Sequence, residues 1–143
     1  MFKRLATAVM PLVAVACAAA PAPDERASLA VTFTAEIREG AVMMALFDSA
    51  EGYDSGAAVR GSAGGVASGT VTLTFEDLEP GAYAIRAFHD LDGDGELDTN
   101  LTGAPTEPFA FSNNAPANFG PPAFEAAAFE VKPGANRHAI NIR

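Results

Sequence analysis

From Leu29 to Arg38 the chain changes character at nearly every step: Leu29, Val31, Phe33, Ala35 and Ile37 alternate with Ala30, Thr32, Thr34, Glu36 and Arg38. Residues two apart share one face of an extended strand, whereas a helix would scatter them around its axis. The period therefore predicts a half-buried β-strand. It returns over Thr70 to Phe75, with Val71, Leu73 and Phe75 on one side and three threonines on the other. Ala41 to Phe47 is apolar on both faces, which suits a central strand. Ala82 to His89, Glu125 to Val131 and His138 to Ile142 complete the set, the last with Ile140 and Ile142 inward. Glu39-Gly40 and Pro133-Gly134 read as turns, and Pro80-Gly81 as a type II turn. Asp48 to Gly69, rich in Gly, Ser and Ala, reads as a long loop with an edge strand near Ala57 to Arg60. No helical period interrupts these short strands. The expected fold is all-β, a single antiparallel β-sandwich of about seven strands.

Ahead of the strands, Lys3 and Arg4 precede an apolar run from Leu5 to Ala16, and small residues follow. That is the order of a secretory signal, and the run is too short and Ala-rich for a membrane span. The expected division is a signal over residues 1–19, a linker over 20–27 and a folded domain over 28–143. Cleavage after Ala18 or Ala19 makes the protein periplasmic or secreted. The alternative is an envelope lipoprotein anchored on Cys17, although Ala14 stands where the lipoprotein pattern usually has Leu. Cys17 is the only cysteine, so the folded part has no disulfide and no thiol nucleophile. The formal net charge is -9, and it becomes -11 once the cations Lys3 and Arg4 are removed. Nucleic acid, which needs a basic surface, is excluded as a partner.

The densest chemistry lies just after the strand that ends in Phe88-His89. Asp90, Asp92, Asp94, Glu96 and Asp98 place five acids in nine residues, with Gly93 and Gly95 among them. Like charges this close repel, and a hard cation with six to eight oxygen ligands removes the conflict. Asp-x-Asp-x-Asp-Gly is the first half of a calcium loop, with Gly95 at the sharp turn, the Glu96 carbonyl next, and Asp98 binding directly or through water. Calcium is thus the expected cofactor. The twelfth position departs from the pattern: Leu101 stands where a bidentate Glu is expected, so an oxygen must be missing or come from Asn100 or Glu107. The expected affinity is weak, about 10⁻⁴ to 10⁻³ M.

Downstream, Leu101 to Phe124 has no period, yet Phe109, Phe111, Phe119 and Phe124 punctuate it. Disordered segments rarely carry so many aromatics. The stretch reads as an ordered loop close to the acidic one, and as the candidate surface for an extracellular glycan, peptide or protein partner. Its candidate residues are Glu107, Phe111, Ser112, Asn113, Asn114 and Phe119, with His89 beside them. His89 next to Asp90 has the pairing of a general base and its orienting carboxylate. Alternation, however, puts it on the side of Tyr83 and Ile85, where a hydrogen-bonded histidine at the sheet end is expected. His138 is marked by nothing as its partner, and Met43 and Met44 read as packing in a core strand. The serines lack a nucleophile elbow, and no Gly-rich phosphate loop follows a strand.

The linked motifs Phe75-Glu-Asp-Leu-Glu-Pro-Gly-Ala-Tyr83, Ala87-Phe-His-Asp90, Gly103-Ala-Pro-Thr-Glu107, Phe111-Ser-Asn-Asn114 and Phe119-Gly-Pro-Pro-Ala-Phe124 resemble a family of secreted bacterial proteins, domain of unknown function 2141. The resemblance covers about Leu29 to Ile142 and implies one extracytoplasmic β-rich domain, with no activity to carry over. Phe75 to Tyr83 also resembles the matching strand pair of prealbumin-like and collagen-adhesin repeat domains, which implies an immunoglobulin-like or prealbumin-like sandwich but no function. Three function classes follow: a calcium-stabilised structural or binding module, a carbohydrate or peptide binder using the Phe/Asn-rich loop, and a hydrolase with metal or carboxylate chemistry.

Overall fold

A computed structural model describes residues 25–143. The expected signal over 1–19, the alternative lipid anchor at Cys17 and most of the expected 20–27 linker lie outside the described residues. One sheet is built from β1 (Ala27–Ala35), β4 (Thr70–Leu78) and β8 (Gly134–Ile142), with β1 in the middle. The second is built from β2 (Ala41–Phe47), β3 (Arg60–Gly65), β5 (Gly81–Asp90) and β6 (Phe109–Phe111), in the order β3-β2-β5-β6, and β7 (Phe129–Val131) pairs with the start of β5. The expected all-β sandwich is the observed architecture.

The alternation in β1 places Leu29, Val31 and Phe33 inside, with no exposed surface. On the antiparallel neighbour, Leu73 and Phe75 lie opposite Val31 and Leu29. The other neighbour, β8, runs parallel to β1, with Phe33 opposite Ile140 and Ala35 opposite Ile142. A parallel pair needs a long connection between its strands, and here nearly the whole domain supplies it. Ile37 does not continue the inward series: β1 ends at Ala35 and Ile37 is 41% exposed. Across the sandwich, Val42, Met44, Leu46, Tyr83, Ile85 and Ala87 complete the core. Burying side chains of this size stabilises the fold by about 1.5–3 kcal/mol each.

β2 is central, between β3 and β5, and its two-sided apolar character has a physical cause. The outer face of its sheet carries a second cluster, made by Phe47, Tyr53, Ala84, Phe111, Ala115 and Ala127. Two short helices cover it, α1 (Ala50–Ser55) and α2 (Phe124–Ala127). Both correct the sequence expectation. The long loop over Asp48 to Gly69 contains α1, capped by the Ser49 side chain on the Gly52 amide at 3.1 Å, and ended by Gly56 in the left-handed region. The strand expected from Glu125 starts only at Phe129, because the alanine-rich segment before it forms α2. The edge strand is Arg60–Gly65 rather than Ala57 to Arg60.

β4 and β5 belong to different sheets, so Glu79-Pro80-Gly81 is a crossing, not a hairpin turn. Gly81 has φ 157°, far from the roughly +80° of a type II turn. The crossing is fastened by Tyr83, whose hydroxyl donates to the Glu79 carbonyl at 2.7 Å. That bond is the tyrosine corner of Greek-key sandwiches.

Candidate functional site

β5 runs to Asp90, which sits opposite Ala41 at the end of the sheet. The acidic loop leaves from there and returns through a bridge between Thr99 and Pro105. Asp90 accepts the Gly93 amide at 2.8 Å and the Gly95 amide at 2.9 Å, one on each carboxylate oxygen. Asp92 accepts the Asp94 amide at 3.1 Å, and Asp94 accepts the Glu96 amide at 2.8 Å. Gly95 turns the chain at φ 79°, a region that disfavours side chains. These turns hold the loop tightly coiled, with Asp90 buried and Asp92, Asp94 and Glu96 exposed at its surface.

Of the two residues considered for the missing oxygen, Asn100 is committed elsewhere: its Oδ1 accepts the Thr102 and Ala104 amides at 2.9 and 3.1 Å. Glu107 is the one that reaches the loop. It is 6% exposed, and its two oxygens accept the Leu91 amide at 2.7 Å and the Asp98 amide at 3.2 Å. Leu101 points fully into solvent. Two carboxylate triads result, Asp90 with Asp92 and Glu107, and Asp92 with Asp94 and Asp98, each with one oxygen per residue within 4.8 Å of the others. Oxygens bound to one calcium at 2.3–2.6 Å lie at most about 5 Å apart. The donor set is all hard oxygen, which fits calcium and not a soft or imidazole-seeking metal.

The charges in the loop are unevenly tolerated. Burial works against the charge on Asp90, but the Gly93 and Gly95 amides, a hydrogen bond with Asp92 and the Asp94 amide together hold its carboxyl below the ordinary 3.8. For Asp92 the Asp94 amide favours ionisation, yet desolvation, repulsion from Asp94 and Asp98 and the bond with Asp90 push it above 3.8. Without a cation, Asp92 carries the cost of the crowding.

The remaining candidates divide. His89 is 1% exposed and faces the core side, where its Nε2 is 2.6 Å from the Glu39 carbonyl and donates to it. It is the hydrogen-bonded sheet-end histidine that alternation predicts. Ser112 is fully buried; its hydroxyl accepts the Ile85 amide at 2.9 Å and donates to the Ala127 carbonyl. Asn113, at φ 60°, donates through its side chain to the Ala128 carbonyl at 2.8 Å, and its amide donates to Nε2 of His138 at 3.1 Å. Asn114 accepts the Asn141 amide at 2.9 Å. Ser112, Asn113 and Asn114 therefore tie β6, α2 and β8 together. His138, unassigned from sequence, stacks on Phe129 with ring centres 4.1 Å apart, and burial lowers its pKa below 6.5.

Phe111 and Phe119 belong to a different feature. The outer face of the five-stranded sheet carries a cleft of about 1270 Å³. Met43, Ala45, Arg86, Phe88, Phe109 and Phe111 line its floor, and its rim comes from two loops, Leu97 and Thr99 with Thr102 to Pro105, and Ala117 with Phe119 to Pro121. The rim joins the acidic loop directly, since Leu97 lies between Glu96 and Asp98. Phe119 stands fully exposed at the rim, with φ 56°, a strained conformation for a bulky residue. Met44 packs in the core, but Met43 lines the cleft and is only half-buried. Sequence reasoning missed the cleft. Its signal was the outward row Ala84, Arg86, Phe88 on β5, which is too apolar for a solvent-facing side.

No curated protein and no solved structure matches the chain. A family model does match, over residues 34–139, which takes in the whole five-stranded sheet, β4, the acidic loop and every residue of the cleft floor. The chain belongs to the bacterial family DUF2141, whose description is an uncharacterised protein conserved in bacteria.

Proposed function

We propose that this protein is a calcium-stabilised extracytoplasmic module, exported by the signal over residues 1–19. The observation that carries the metal reading is a pair of carboxylate triads sharing Asp92, one with Asp90 and Glu107 and one with Asp94 and Asp98, with Glu107 reaching in from the far side of the loop. Glu107 offers the acid absent at Leu101, but one lone pair on each of its oxygens already holds an amide. The expected affinity therefore stays near 10⁻⁴ to 10⁻³ M, about that of extracellular modules. Magnesium has less effect, because it demands near-octahedral geometry and keeps its waters.

The test is thermal unfolding and calorimetry of the purified protein with calcium, magnesium and chelator. At a hundredfold excess over Kd, calcium adds about 2.7 kcal/mol to stability and raises Tm by several degrees. Asp92→Asn with Asp94→Asn abolishes that rise while the calcium-free fold persists. Unchanged Tm in about 10–100 mM calcium, a hundredfold excess over that Kd, with no heat of binding, leaves the loop as a charged turn only.

A second reading has its own observation. The cleft has the size and apolar lining of a ligand site, which supports a binding module whose rim calcium orders. Its floor presents few polar side chains, so it suits an apolar ligand better than a glycan or an extended peptide, whose hydrogen-bonding groups would go unpaired.

A further inference from the structure

Arg86 is the one charged side chain in the cleft floor. Its guanidinium carbon lies 4.1 Å from the Tyr53 ring centre and 5.5 Å from that of Phe47. Its Nε is sealed from solvent and has no hydrogen-bond partner among the described residues. Among the described residues the ion pairs are those of Arg26 with Asp77 and Glu79, and Arg86 has none. Arg86 is half-buried, and a cation partly withdrawn from water without a counter-charge carries a desolvation cost. Scarcity of acids does not explain it, since the chain has 18. The guanidinium is a planar fork that matches a carboxylate in two parallel bonds.

We infer that the cleft binds a small amphiphilic monoanion, its carboxylate seated on Arg86 and its apolar body lying along Met43, Phe88 and Phe109 beneath Phe119. A single planar charge fits one arginine. A doubly charged phosphate would face one cation inside a strongly negative protein, which repels it. The inference rests on the cleft being a ligand site and is independent of calcium. It differs from a purely structural role for Arg86, in which the cation only caps the Tyr53 and Phe47 rings.

Decanoate and decanol, one apolar chain with and without the charge, separate these cases by calorimetry on the purified protein in chelator, which also avoids calcium soaps. Decanoate is expected to bind one to one, at least tenfold more tightly than decanol. Arg86→Gln is expected to weaken decanoate at least tenfold and leave decanol unchanged, with Arg86→Lys recovering part of the loss. Ala63→Trp fills the cleft from the exposed edge strand without touching Arg86 and should abolish both, so the inference stays testable if Arg86→Gln does not fold. Equal affinity for the two ligands, or full decanoate affinity in Arg86→Gln or Ala63→Trp, overturns the inference while leaving an apolar cleft. Binding of neither ligand overturns it together with the ligand-site reading.

Discussion

At Glu107 a single side chain holds the acidic loop at both ends, accepting one amide from Leu91 at its start and one from Asp98 at its close. Glu107→Gln turns one acceptor into a donor that faces an N–H, leaving a buried amide unpaired at a cost of about 1–3 kcal/mol. Urea unfolding in chelator should show that loss, and added calcium should recover less stability than in the parent. A variant as stable as the parent in chelator would mean that Glu107 does not order the loop. The acids also set a pH dependence. The lowered pKa of Asp90 contributes stability that is present above 3.8 and lost as pH falls below it. The raised pKa of Asp92 has the opposite sign: its contribution declines as pH rises above 3.8. On the calcium proposal the ion takes the ionised acids and removes that decline, so the calcium-induced rise in Tm should be larger at pH 7 than at pH 4. His138 adds a third slope. Its pKa is lowered by burial, so its stabilisation is complete above pH 6.5 and lost as pH falls below it. Protonation would also set an N–H against the Asn113 amide, and His138→Phe should flatten stability between pH 7.5 and 5.5 in chemical denaturation.

Two fasteners of the elements invite comparison. Tyr83 locks the β4–β5 crossing with one hydroxyl bond, and Tyr83→Phe removes it at a cost of about 1 kcal/mol. Ser112 joins β5 to α2 through one fully buried hydroxyl that both accepts and donates. Ser112→Ala strands an amide and a carbonyl together, so a loss of about 2–4 kcal/mol is expected. Urea midpoints of the two variants at equal m-value should rank Ser112→Ala as the more damaging, and the reverse order would refute the assignment. The Gly-rich strand β3 is likewise a product of its neighbours. A Cβ on Gly64 would lie 2.7 Å from Val71 and 2.8 Å from Leu73, so glycine there lets the side chains of β4 close the sandwich edge.

For the molecule as a whole, the balance of charge and the placement of apolar surface point the same way. The chain carries a formal net charge of -9, which favours solubility and opposes binding to anionic surfaces. No described helix is long and apolar enough to cross a membrane. Export is expected to remove the first 18 or 19 residues, and mass spectrometry of protein recovered from the cell envelope reads either that truncation or a lipid on Cys17. Recovery of the intact chain from the cytoplasm contradicts both forms.

What the sequence determined by itself is what rests on neighbours along the chain. Alternation set the faces of β1, β4 and β5, including the inward turn of His89, because side chains two residues apart must share a side. The Asp-x-Asp-x-Asp-Gly order marked a tightly turned loop, because the amides that Asp90, Asp92 and Asp94 accept are two to five residues away. The six-residue α1 had only its caps, Ser49 and Gly56, to announce it, being too short to show a period. Tertiary structure decided the rest. It brought Glu107 back to a loop that starts sixteen residues earlier, turned Ser112, Asn113 and Asn114 into fasteners, and stacked His138 on Phe129. It also left Arg86 unpaired over Tyr53 in an apolar cleft. Those arrangements depend on which distant strands become neighbours, and that is fixed by burying two faces of one sheet rather than by any local pattern.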